Sequence, residues 1–184
     1  MKIYTRTGDD GTTGLLHGGR VRKDHAAPAA CGDVDEAQAA LGLARALAGA
    51  GTELDGMLVG LERDLWVLMA ELATDPDNHH KLVPGTSRVT PEMVTALEAT
   101  IDDVTSRFVA PTEFVVPGQT RSAALLDVAR TVTRRAERAS LPAAAPGSHA
   151  LAYLNRLSDL LWALARWQED GSLITRDSTS GGRA

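Results

Sequence analysis

The chain has 184 residues, 43% hydrophobic but only 4% aromatic, and a formal net charge of -5. That is enough apolar sequence for one domain with a full core, and apolar positions filled by Leu, Ala and Val suit packed helices better than a β-sandwich. The acidic balance argues against general nucleic-acid binding, while Cys31, the single cysteine, excludes an intramolecular disulfide and points to a reducing compartment.

Met1-Lys2-Ile3-Tyr4-Thr5 starts no apolar leader, and no stretch nears the roughly 18 uninterrupted apolar residues of a membrane span. The expectation is a soluble cytoplasmic protein with neither membrane nor nucleic-acid partner. Residues 1–32 scatter Gly8, Gly11, Gly14, Gly18 and Gly19 among Thr5, Thr7, Thr12 and Thr13, with Arg6, Arg20, Arg22 and Lys23. This composition predicts an irregular arm whose backbone N–H groups and hydroxyls can form an anion nest. It is not a Walker A loop, because no Gly-Lys-Ser/Thr closes it. A flexible leader would have the same composition.

Five helical patterns follow. The first runs from about 34 to 47, with Asp33 as N-cap and Glu36 completing a capping-box-like pair. The second starts after Thr52, with Leu54, Leu58, Leu61, Leu65, Leu68 and Leu72 recurring about every 3.5 residues. Residues 75–89, with Pro76, Pro84 and Gly85, read as a loop. Thr90 and Pro91 then open the third helix, with the stripe Val94, Leu97, Ile101, Val104 and Phe108. A long connection, 111–120, carries Phe114, Pro117 and Gly118.

The fourth helix, about 122 to 141, holds Arg130, Arg134 and Arg138 four apart on one face, at intervals of about 6 Å. Residues 121–140 carry five arginines against Asp127 and Glu137, a local balance of +3. Like charges at this spacing repel by a few tenths of a kcal/mol per pair, so the face suits an anion of about triphosphate length. Arginines outnumber lysines sixteen to three in the chain, and arginine makes bidentate contacts with phosphate oxygens. A solvated face paired with nearby acids or another subunit is the alternative.

The fifth helix, about 148 to 169, turns Leu154, Leu157, Leu161, Leu164 and Trp167 inward and stops at Gly171. Asn155 shares a mostly apolar face with Leu151, Ser158 and Trp162, so its amide requires a partner, either loop backbone or ligand. The polar 172–184 stretch reads as a flexible tail. The expected architecture is all-α: a five-helix bundle with an irregular N-terminal arm, one domain over 1–171 (arm 1–32, bundle 33–171). No metal site is expected. His79-His80 lacks matching ligands, His17, His25 and His149 read as surface residues, and no Glu-x-x-His pair occurs. There is no Cys/His nucleophile arrangement and no Gly-x-Ser-x-Gly elbow.

Four motifs, in order, are Ile3-Tyr4-Thr5-Arg6-Thr7-Gly8-Asp9-Asp10-Gly11-Thr12-Thr13, Gly32-Asp33-Val34-Asp35-Glu36, the run 130–138, and Tyr153-Leu154-Asn155-Arg156-Leu157-Ser158-Asp159. Together they resemble the PduO-type ATP:cob(I)alamin adenosyltransferases (corrinoid adenosyltransferases) over roughly residues 1 to 169. The resemblance implies a homotrimer with intersubunit active sites. ATP would lie between the arm of one subunit (Thr5, Arg6, Thr7, Gly8, Thr13, Gly14, Lys23) and Arg134, Arg135, Glu137, Arg138 and Asn155 of its neighbour. Mg2+ would bridge the phosphates. Asp35 would pair with Arg130 across the site, and Phe114 would lie beneath the corrin ring of cobalamin.

The resemblance further implies transfer of the 5'-deoxyadenosyl group of ATP to cob(I)alamin, and a possible hand-off of product to an adenosylcobalamin-dependent enzyme. The alternative is a non-catalytic ATP- and corrinoid-binding bundle acting as sensor or cofactor chaperone. This chain departs from the family pattern at Gln119, where a second glycine is common after Pro117-Gly118, and at Asp10, often lysine. It departs again over Glu36-Ala37-Gln38-Ala39, where a Glu-Leu-Asn-Ser-like run is common.

Overall fold

The computed structural model describes residues 3–169 and 171–176. Among them are the helices α1 (Ala26–Ala48), α2 (Glu53–Leu72), α3 (Pro91–Thr105), α4 (Arg121–Ser140) and α5 (Ala150–Trp167). A 3-10 helix, Pro76–Lys81, lies within the expected loop, and strands β1 (Thr12–Gly14) and β2 (Arg20–Arg22) pair antiparallel.

Helix α1 begins well before the expected position near 34, so the arm ends at His25 rather than at 32. His25 is the N-cap, its Nδ1 accepting from the Ala27 N–H at 3.2 Å. Pro28 falls in the first turn, where its missing N–H has no intrahelical acceptor to lose. Asp33 is therefore not a cap. It and Glu36 lie mid-helix and form ion pairs with Arg135 of α4.

Helices α2, α3 and α4 start after their capping residues, whereas the N-cap of α5, His149, makes no side-chain capping bond. Thr52, Thr90 and Thr120 accept from the N–H groups of Asp55, Met93 and Ala123. Helix α3 stops at Thr105 rather than reaching Phe108. The Thr105 hydroxyl donates to the Ile101 carbonyl at 2.7 Å and the Ser106 hydroxyl to that of Asp103 at 2.6 Å, satisfying last-turn carbonyls. Helix α5 is shorter at both ends than the expected 148–169.

Helix α1 packs on α2 and α4, and α5 packs on α3 and α4. The whole leucine stripe of α2 is buried, as are Leu154, Leu157, Leu161 and Leu164 of α5. Each such leucine contributes about 1.5–3 kcal/mol on leaving water. Helices α1 and α4, which pack together, both bury small residues: Ala30, Ala37 and Ala44 on α1, and Ala123, Ala129 and Ala136 on α4. Small side chains let the two helices approach closely. Tyr153 is fully buried and donates its hydroxyl to Asp64 Oδ2 of α2 at 2.9 Å, tying α5 to α2. Burial pushes the Asp64 carboxyl up and the Tyr153 phenol further up.

The arm is not irregular throughout. Its β1–β2 hairpin aligns Thr12 with Arg22 and Gly14 with Arg20. His17, Gly18 and Gly19 turn it at positive φ. The Leu16 N–H donates to the Ala73 carbonyl at 2.8 Å, anchoring the hairpin tip at the end of α2. The expected flexible tail is corrected in its first part: Ile174 bridges antiparallel to Val115, the Val116 N–H donating to the Leu173 carbonyl at 2.7 Å and the Thr175 N–H to the Phe114 carbonyl at 2.8 Å. Apolar Leu173 and Ile174 give that stretch strand character, with free backbone at 114–116 to pair with. The rest of the expected tail, 177–184, lies outside the described residues. Among the described residues, no helix is long and apolar enough to cross a membrane.

Candidate functional site

The hairpin folds the N-terminal segment back on itself and borders an open polar cavity of about 350 Å³. Its lining includes Thr5, Arg6, Thr7, Gly8, Thr13, Gly14 and Lys23, the full set expected of the arm. The Thr5 and Thr7 hydroxyls lie 2.8 Å apart, and the Thr7 N–H donates to Thr5 Oγ1 at 3.4 Å. Arg6 holds φ at +64°, a conformation costly for a residue with a Cβ, and stacks its guanidinium 5.5 Å from the Tyr4 ring.

Arg20 also lines this cavity and was missed by the motif comparison. Its Nη2 donates to the Thr7 carbonyl at 2.7 Å and to Thr12 Oγ1 at 2.6 Å, pinning the Thr7 turn to the hairpin. It stands directly across the strand pair from Gly14, a placement that only the folded hairpin creates. Asp10 accepts from the Thr12 hydroxyl at 2.8 Å and from its N–H at 2.9 Å. These bonds hold the Asp10 carboxyl below its ordinary range, the hydroxyl contributing most. Asp10 is thus turned into the hairpin.

A second cavity, about 810 Å³, opens where the 111–117 segment passes over α4 and α5. Phe114, 88% exposed, lines it with Val115, Pro117, Arg130 and Trp162. The backbone pairing with 173–175 holds this segment in place. The turn after it places its positive φ, +112°, on Gly118. The departure from the family pattern at Gln119 therefore costs no backbone strain.

The arginines of α4 divide by helix face. Arg134 and Arg138 are exposed, and Arg138 Nη1 donates to the Arg134 carbonyl at 2.9 Å. Arg135 points instead to α1, where Glu36 and then Asp33 raise its pKa. Arg130 does not pair with Asp35 within the chain: its Nε donates to Asp127 Oδ1 at 3.0 Å, and Asp35 lies exposed on α1. One turn of separation on α4 brings Asp127 closer than any α1 acid. Asn155 donates to Glu137 Oε1 at 3.2 Å and accepts from Arg156 Nη1 at 2.7 Å, so the buried-side amide has partners on both atoms.

The arm residues line one cavity and Arg130 of α4 lines the other, while Arg134, Arg135 and Arg138 line neither. Neither cavity contains an activated protein nucleophile. Cys31 is half-buried, its thiol pushed up to about 11 by burial. No cluster of three His, Cys, Asp or Glu residues with metal-holding geometry occurs among the described residues. What the two cavities offer is positioning and positive charge.

Residues 3–168 match the family profile described as cobalamin adenosyltransferase. The chain is 42% identical over 181 residues to the corrinoid adenosyltransferase of Mycobacterium tuberculosis, spanning 95% of this chain and 93% of that protein. It is 40% identical over 172 residues to the corrinoid adenosyltransferase PduO of Salmonella typhimurium, covering 92% of this chain and half (50%) of that longer protein. Among solved structures, a phenylalanine-to-alanine variant of the PduO-type ATP:corrinoid adenosyltransferase from Lactobacillus reuteri, complexed with cobalamin and ATP, superimposes with a TM-score of 0.84. That relative is 31% identical, with 96% of this chain and 100% of that one covered. With its arm cavity, its arginine helix and its similarity along nearly the whole length, the chain belongs to the PduO-type cobalamin adenosyltransferase family.

Proposed function

We propose that this chain transfers the 5'-deoxyadenosyl group of ATP to the cobalt of cob(I)alamin, releasing triphosphate, and that it works as a homotrimer of five-helix bundles. The observation that carries the reading is the arm cavity, which gathers all seven motif residues and no residue of α4. A site needing both then forms where the arm of one copy meets α4 of another.

Thr5, Arg6, Thr7, Gly8, Thr13, Gly14 and Lys23 bind the nucleotide from the arm. Arg134 and Arg138 take the phosphates from α4, Arg135 braces that helix against α1, and Glu137 and Asn155 orient the nucleoside end. Mg2+ carried by the ATP phosphates would add charge neutralisation beside Arg134, Arg138 and Lys23. The cobalt(I) of the substrate is itself the nucleophile: it attacks C5' of ATP, the C5'–O bond breaks, and its electrons leave with triphosphate. No protein base is required. The chain must align cobalt and carbon, worth several kcal/mol in proximity terms, and stabilise the departing charge with Arg134, Arg138 and Lys23.

Phe114 presents its exposed ring to the lower corrin face, displacing the axial ligand of cob(II)alamin and easing reduction to cob(I). Arg130 and Asp35 of adjoining copies pair across the corrinoid side. Arg130 spends only Nε on Asp127, leaving four N–H donors for that pair. Product then passes to an adenosylcobalamin-dependent enzyme.

Incubating the protein with ATP, Mg2+ and chemically reduced cobalamin should yield light-sensitive adenosylcobalamin and one triphosphate per turnover. Pyrophosphate or orthophosphate as the first product would overturn the reading. Nucleotide at 100 times its dissociation constant should add about 2.7 kcal/mol of stability.

A further inference from the structure

Inside the Phe114 cavity, Arg130 of the third motif meets charged partners that lie outside all four motifs. Asp127 on α4 is 5% exposed, and both its oxygens accept from arginines: Oδ1 from Arg130 Nε at 3.0 Å, Oδ2 from Arg166 Nη2 at 2.6 Å. Arg166 on α5 is 3% exposed; the same Nη2 donates to Glu169 Oε1 at 3.0 Å, and its guanidinium lies 5.8 Å from the Trp162 ring centre. Glu169 Oε2 in turn accepts from Ser172 Oγ at 2.9 Å, next to the strand that pairs with the Phe114 segment.

We propose that Asp127 is a positioning residue for adenosyl transfer, fixing the Arg130 guanidinium at the cavity wall, with Arg166 as the buried counter-charge that fixes Asp127. This assignment rests on the function proposed above.

Three observations support it. Arg166 Nη2 serves Asp127 and Glu169 together beside the Trp162 ring, and its Nε is buried without a hydrogen-bond partner, so the two carboxylates set where the guanidinium sits. A buried ion cluster is a poor stabilising device, since apolar side chains of similar volume usually do as well; what the cluster supplies here is direction. Finally, an arginine on a helix surface samples many rotamers, whereas an anchor on Nε removes that freedom before substrate arrives and leaves the two Nη groups available.

The test is a double-mutant cycle of Asp127→Asn with Arg130→Ala, read as kcat and KM for ATP and cob(I)alamin in protein shown folded by circular dichroism. Asp127→Asn keeps the shape but turns an N–H group toward one guanidinium. We expect kcat to fall about tenfold or more while KM for ATP stays within twofold. Because Asp127 acts through Arg130, the double variant should be no slower than Arg130→Ala alone. Losses that multiply, or an unchanged kcat in folded Asp127→Asn, would overturn the assignment. Should Asp127→Asn not fold, Arg166→Lys, which keeps the buried charge but shifts it, enters the same cycle with the same expectation. Wild-type protein that makes no adenosylcobalamin overturns the proposed function first; multiplied losses in active protein overturn the Asp127 assignment alone.

Discussion

Gly8 and Lys23 are packed so closely that a Cβ added to Gly8 would stand 3.2 Å from both Cε and Nζ of the lysine. The same Cβ would lie 3.0 Å from the backbone carbonyl of Thr12, in strand β1. A lysine tip can move aside, but a paired strand cannot. Gly8→Ala should therefore displace Lys23 from the arm cavity and raise the KM for ATP about tenfold, equivalent to about 1.4 kcal/mol. Steady-state kinetics with varied ATP check this, and an unchanged KM would remove Lys23 from the phosphate site.

Arg134 and Arg135 are neighbours in sequence with different surroundings. Both are exposed, but Arg135 is paired with Glu36 and Asp33 of α1. Arg134→Ala should lower kcat/KM for ATP by about 10- to 100-fold, the worth of a lost charge-assisted contact. Arg135→Ala should lower the melting temperature and affect ATP use less. The reverse ranking, measured by kinetics and calorimetry on the same preparations, would exchange the two roles.

Phe114 is 88% exposed, so Phe114→Ala removes little buried surface and should leave stability within about 0.5 kcal/mol. Its expected effect is on chemistry. Reactions begun from cob(II)alamin with a reductant should slow far more than reactions supplied with cob(I)alamin. Equal slowing in the two assays would rule out a role in reduction.

Asp55 accepts from the Gly51 N–H at 2.9 Å and from Arg45 Nε at 2.8 Å. These bonds, the backbone one first, hold its carboxyl below the usual 3.8. With its pKa depressed by folding, the native state binds fewer protons than the unfolded chain. The associated stability is present above pH 3.8 and is lost as pH falls through the folded value. Asp10, Asp24 and Glu92 are shifted the same way and add to the effect. The melting temperature should fall from about pH 5 to pH 3, and Asp55→Asn should flatten that slope. Identical slopes for wild type and variant would contradict the assignment.

Much of the helical frame was legible in the chain. The Thr52, Thr90 and Thr120 regions bear capping chemistry that acts within one turn, and the α2 leucines repeat at the helical period. The start of α1 was not legible, because Asp33 and Glu36 imitate a local cap while serving a partner on α4, about a hundred residues away. The hairpin was equally hidden: threonine favours a strand and glycine opposes it, so the segment gives a mixed signal, and Arg20–Arg22 becomes a strand by pairing with Thr12–Gly14 and by the anchor from Leu16 to Ala73.

Local chemistry, written in consecutive residues, was enough to single out the arm, the arginine helix and the Asn155 helix as candidates, since spacing along a helix sets which side chains share a face. It could not say how those faces are used. Arg134 and Arg135 look alike in the chain and separate only because α1 packs on one side of α4. Asp127 and Arg166 are unremarkable until α4 and α5 close over them and withdraw both charges from water. Partners far apart along the chain meet through packing, and the field each charge feels depends on what that packing excludes.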